Sequence, residues 1–133
     1  MNDRSVTILF DGNGRVYEPG QVLAGEYRLE SVDPGSVKSI EVSVLWYTEG
    51  KGDEDMAVHE FWQFSADDGD WIDPMRPARF STTLPNSPLS YDGVILKVRW
   101  CVRVRVFYHR GKDLVGQQAF QLGGVPPVEV STS

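Results

Sequence analysis

The reactive side chains of this 133-residue chain are few: one thiol, two imidazoles and nineteen carboxylates. Cys101 stands between Arg99 and Arg103 at alternate positions. Flanking cations favour the thiolate, the form that attacks carbonyls, disulfides and metals. A catalytic cysteine also needs a base, and only His59 and His109 can supply one. No Cys-x-x-Cys, nucleophile-elbow or His-Glu-x-x-His pattern accompanies them. His59-Glu60 lacks its second histidine. The reading is therefore a chain with no catalytic residues. A hydrolytic or redox enzyme built on Cys101 is an alternative.

Carboxylates concentrate in two stretches, Asp53-Glu54-Asp55 and Asp67-Asp68-Gly69-Asp70, with Asp73 following. Calcium takes six to eight oxygens from such loops. The spacing of Asp68, Asp70 and Asp73 suits a cation loosely, but the EF-hand pattern and its closing Glu are missing. Solvated loops are the expectation, with no metal and no cofactor. A calcium-dependent module using residues 53–55 and 67–73 is a second alternative. Trp71, inside the second loop, either anchors it on the domain or faces a partner.

The stretch Val-Ile-Leu-Lys-Val-Arg-Trp-Cys-Val-Arg-Val-Arg-Val-Phe-Tyr-His, residues 94–109, splits into two rows. Val94, Leu96, Val98, Trp100, Val102, Val104, Val106 and Tyr108 make an apolar row. Lys97, Arg99, Arg103 and Arg105 make a cationic row around Cys101. Period two means a strand with one face toward a core, so the cations point outward. They either dock an acidic protein partner or pair across the sheet with acids such as Glu41 and Glu60. Nucleic acid is not the expected partner. The net charge is −6, and the aromatics of this strand that would stack on bases mostly share the core phase. Lys97, Arg99, Arg103, Arg105 and Trp71 are the candidate partner-binding residues.

The same period runs through most of the chain. Val6, Ile8 and Phe10 alternate, and a turn follows at Asp11-Gly12-Asn13-Gly14. Leu23, Gly25, Tyr27 and Leu29 form one row; Ile40, Val42, Val44 and Trp46 form another. Val58 to Phe64, Arg79 to Leu84 and Leu114 to Leu122 also read as strands, and no segment carries a helical stripe. This pattern predicts an all-β, antiparallel sandwich with Trp46 and Trp100 in its core. At fifteen residues and about 3.3 Å each, the long strand is expected to bend or to outrun its partner. No apolar run reaches the roughly 18 residues of a membrane span. No signal-peptide core opens the chain, and the cysteine is alone, so the expected location is cytoplasmic.

Two blocks carry a family resemblance. Gly20-Gln21-Val22-Leu23-Ala24-Gly25-Glu26-Tyr27-Arg28-Leu29, preceded by Val16-Tyr17-Glu18-Pro19, resembles the early strand of arrestin-like amino-terminal domains. Phe80 to Leu84-Pro85, then Pro88-Leu89-Ser90-Tyr91-Asp92-Gly93, then Val98 to Val104 is similar to that family's Leu-Pro, Pro-Ser-aromatic, Gly and basic-apolar strand. The resemblance covers about Phe10 to Leu122. It implies an immunoglobulin-like, arrestin-like β-sandwich acting as an intracellular adaptor or scaffold without enzymatic activity. Family members generally carry two sandwiches. Here residues 1–124 make one, and 125–133 form a Pro-containing tail where the hinge would lie. The phosphate-sensing core and receptor-inserting loop of signalling arrestins have no counterpart, so receptor binding is not implied.

Overall fold

The alternating rows become strands in a computed structural model that describes residues 3–50, 52, 54–65 and 76–124. In chain order the strands are β1 (Ser5–Phe10), β2 (Val16–Tyr17), β3 (Val22–Glu30), β4 (Val37–Gly50), β5 (Met56–Ser65), β6 (Ala78–Thr83), β7 (Tyr91–Asp92), β8 (Leu96–Tyr108) and β9 (Leu114–Leu122). The helical residues described are two single 3-10 turns, Asp11–Asn13 and Pro34–Ser36. Asp33 caps the second, its carboxylate accepting from the Gly35 amide at 3.1 Å. The all-β expectation holds. None of the described helices is long and apolar enough to cross a membrane.

Two sheets form the sandwich. The smaller has the order β1-β3-β6 and the larger β2-β9-β8-β4-β5, with β7 beside β8. Every pairing is antiparallel except the short β2–β9 pair, which is parallel. β8 does not outrun its neighbour: β4 pairs with it from Leu96 to Tyr108. On its other flank β9 covers Trp100 to Val106, and β7 covers Lys97 and Val98.

The rows read from the sequence meet between the sheets. Ile8, Phe10, Leu23, Tyr27 and Leu29 face Ile40, Val42, Val44, Trp100, Val102, Val104 and Val106, all buried. Each such aliphatic or aromatic side chain contributes roughly 1.5–3 kcal/mol by leaving water. Trp100 is 1% exposed, its indole N–H donates to the Pro88 carbonyl at 2.7 Å, and its ring packs on Phe120. At Gly25, β3 leaves no room for a side chain beside β1. A Cβ there would strike the Leu9 carbonyl oxygen and press on the Phe80 ring at 3.0 Å.

Two expectations about the core need correction. Val94 and Leu96 share the apolar phase of β8 but lie outside the core, 92% and 40% exposed. β8 begins only at Leu96, which pairs with Gly50 at the very end of β4, and Val94 precedes the strand. Trp46, level with the buried Trp100, is half-buried, not buried, and packs against the core as a partly covered side chain.

Candidate functional site

Strand register assembles the outer face of the larger sheet in rows across β5, β4, β8 and β9. Gln63, Glu41, Arg105 and Val115 form one row. Phe61, Ser43, Arg103 and Gln117 form the next, followed by Val58, Leu45, Cys101 and Ala119. Met56, Tyr47 and Arg99 follow. The cationic positions of β8 therefore do point away from the core.

The row splits in its bonding. Lys97 lies 3.6 Å from the Asp92 carboxylate, and Arg99 lies 3.4 Å from Glu49. That half is a cross-strand ladder. Arg103 instead donates to the neutral Gln117 side chain at 3.0 Å, and Arg105 rests 5.8 Å from the Phe107 ring centre. Neither makes an ion pair among the described residues. The acids expected to pair with the row are placed differently. Glu41 is level with Arg105 without an ion pair, and Glu60 is on the other face, where it accepts from Thr82 Oγ1 at 3.1 Å.

The cause of Glu60's placement is a bulge in β5. Val44 pairs with Glu60 but Leu45 pairs with Val58, so β5 carries one extra residue at His59. His59 and Glu60 both turn toward β6, where His59 Nε2 donates to the Thr83 carbonyl at 2.8 Å. Beyond the bulge the phase is reversed. Val58 and Met56 join Phe61 on the outer face, although strict alternation would separate them. All three are exposed, at 48%, 59% and 49%.

The result is a trough of about 210 Å³ running along β4. Ser43 and Leu45 form its floor. Met56, Val58 and Phe61 wall it on the β5 side, Arg103 and Arg105 wall it on the β8 side, and Glu41 stands at one end. β5 is the last strand of its sheet, and no described strand pairs with its outer edge.

Cys101 belongs to the same face but is fully buried. Burial pushes its thiol up to about 11, outweighing the pull of Arg103 in the other direction. The flanking cations that would favour a thiolate are thus outweighed, because desolvation is the stronger effect. Neither imidazole reaches it. His59 turns to the opposite face, and His109 is eight residues along, about 26 Å at strand rise. Cys101 does not have the surroundings of a nucleophile. No three His, Cys, Asp or Glu side chains among the described residues are placed to hold a metal ion. Trp71 and the 67–73 loop lie outside the described residues, as do Asp53 of the first acidic loop and the 125–133 tail. Of the neighbouring acids, Asp55 is tied into the sheet end, its amide donating to Thr48 Oγ1 at 2.8 Å.

The fold defined by these two sheets is an arrestin-like β-sandwich. Among solved structures it is similar to Spo0M, a sporulation control protein from Bacillus subtilis that has this fold. The TM-score is 0.66 at 16% identity, over 94% of this chain and 51% of Spo0M. The chain thus spans about half the length of that protein. It is also similar to superoxide reductase (neelaredoxin) from Ignicoccus hospitalis, with a TM-score of 0.52 at 10% identity, over 90% of this chain and 80% of that one. No family model and no curated protein sequence matches it.

Proposed function

We propose that this domain is a non-enzymatic interaction module that binds another protein through the outer face of its larger sheet. The observation that carries the reading is the trough, where an exposed apolar wall on β5 faces two arginines that have no carboxylate partner among the described residues. Exposed apolar side chains gathered in one place mark association surfaces, whereas scattered ones do not. Arginine beside aromatic and Met side chains is the composition of interface centres. Similarity to a sporulation control protein fits a regulatory binding role. A redox role like that named for superoxide reductase finds less support, since Cys101 is buried and protonated and has no imidazole beside it.

The test is affinity capture from the native lysate with three baits: wild type, the double variant Phe61→Ser/Arg105→Glu, and Arg28→Glu. Arg28 is an exposed β3 side chain paired with Glu26 on the smaller sheet. The expected result is a partner held by wild type and by Arg28→Glu and lost by the double variant. Capture that ignores both changes, or no reproducible partner, overturns the reading.

A further inference from the structure

The trough's two walls differ in chemistry and share a pitch, and together they describe a ligand. Arg103 and Arg105 are two residues apart on β8, so their Cα atoms are about 6.6–7 Å apart along the strand. Across the trough, Phe61 and Val58 are level with Ser43 and Leu45, which are two residues apart on β4. An extended peptide has this same repeat, with alternate side chains on opposite sides. The strands carrying the two walls are separated only by β4, so their backbones lie about 10 Å apart. Laid along β4, such a peptide would place one set of side chains toward the arginines and the other toward Phe61, Val58 and Met56.

We propose that the trough binds an extended protein segment in which acidic and apolar residues alternate. This rests on the interaction-module reading and specifies its partner. Charge complementarity selects the acidic half of this ligand. In a chain of net charge −6, with 19 acids to 13 cations, Arg103 and Arg105 still have no carboxylate among the described residues. Guanidinium groups take carboxylates in two parallel hydrogen bonds, which is stronger and more directional than lysine allows. From the Glu41 row to the Tyr47 row the trough is six residues long, about 20 Å, which sets the segment at about six residues. Glu41, at the Arg105 end, is the one lining group that opposes an acidic ligand.

The test uses two fluorescein-labelled peptides of one composition, Gly-Glu-Leu-Glu-Leu-Glu-Leu-Gly and its block isomer Gly-Glu-Glu-Glu-Leu-Leu-Leu-Gly. Anisotropy titrations at 50 mM and 500 mM salt compare wild type, Arg103→Glu/Arg105→Glu, Phe61→Ser and Glu41→Gln, each checked for folding by its urea midpoint. The alternating peptide should bind wild type at least tenfold more tightly than the isomer, and more weakly at high salt. The double arginine reversal should weaken it tenfold or more, Phe61→Ser several-fold, and Glu41→Gln should strengthen it two- to fivefold. Equal binding of the two peptides, or indifference to the arginine reversal, overturns the proposal. If neither peptide binds while lysate capture still depends on Phe61 and Arg105, this proposal falls and the interaction-module reading survives. Concentration-dependent dimers in sedimentation, abolished by the arginine reversal, would identify a second copy as the occupant and likewise overturn it.

Discussion

Reversing Arg99 and reversing Arg103 should have different consequences for stability, although both are arginines on one face of one strand. Arg99 lies 3.4 Å from Glu49, with the two side chains 40% and 49% exposed. A half-exposed pair of this kind is screened by solvent and contributes about 0.2–1 kcal/mol. Arg99→Glu removes that attraction and sets like charges side by side, which costs a similar amount again. The sum is roughly 0.5–2 kcal/mol at low salt. Arg103 faces Gln117 and Ser43, so its reversal loses one solvent-exposed hydrogen bond to an uncharged acceptor and relieves repulsion from Arg105. Its net effect should stay within about 0.5 kcal/mol, as for most surface changes. Urea unfolding at 50 mM salt measures both. With a slope of about 2 kcal/mol per molar urea, Arg99→Glu should lower the midpoint by roughly 0.25–1 M. In 1 M salt the Debye length falls to about 3 Å, and the difference between the two variants should shrink. Equal losses for both at low salt would refute the division of this row into an ion-paired half and a half with no ion pair among the described residues.

Trp100→Ala should cost about 3–5 kcal/mol in urea melts, the range for a core aromatic; a loss under about 1 kcal/mol would mean that its contacts with Phe120 and Pro88 contribute little. Alkaline stability should fall with rising pH above about 9. The thiol of Cys101, near 9.0 when exposed, is held at about 11 in the fold, and Tyr27, near 10.0, is held at about 12 by burial. Between the two values of each group the unfolded chain has lost a proton that the folded chain keeps, so unfolding gains with pH. The Cys101 part should reach at most roughly 3 kcal/mol, and Cys101→Ala should flatten the urea-midpoint profile between pH 9 and 11; an unchanged profile would contradict it. Tyr108 is buried, and its hydroxyl has no hydrogen-bond partner among the described residues. Tyr108→Phe should therefore leave the urea midpoint unchanged or raise it, since an unsatisfied buried hydroxyl costs about 1–3 kcal/mol; a clear drop would reveal a partner for that oxygen.

Local alternation was enough to read much of this protein. The rows Leu23 to Leu29, Ile40 to Val44 and Trp100 to Tyr108 declare their buried faces directly, because successive side chains of a strand must point to opposite sides. The outward direction of Lys97, Arg99, Arg103 and Arg105 follows from the same rule. Alternation does not say where a row stops being core, so Val94 and Leu96 looked like Val102 although both are exposed. Nor does it show which cations find acids. Glu49 meets Arg99 across fifty residues of sequence, and Gln117 meets Arg103 across fourteen. The trough was hidden most completely. Its apolar wall depends on the extra residue at His59, which reverses the phase of β5, carries Val58 and Met56 to the side of Phe61 and takes Glu60 away. A phase reversal within one strand is visible only against its partner. Local sequence therefore determined the faces, while tertiary structure decided the neighbours, because register and bulges are set by pairing between strands far apart in the chain.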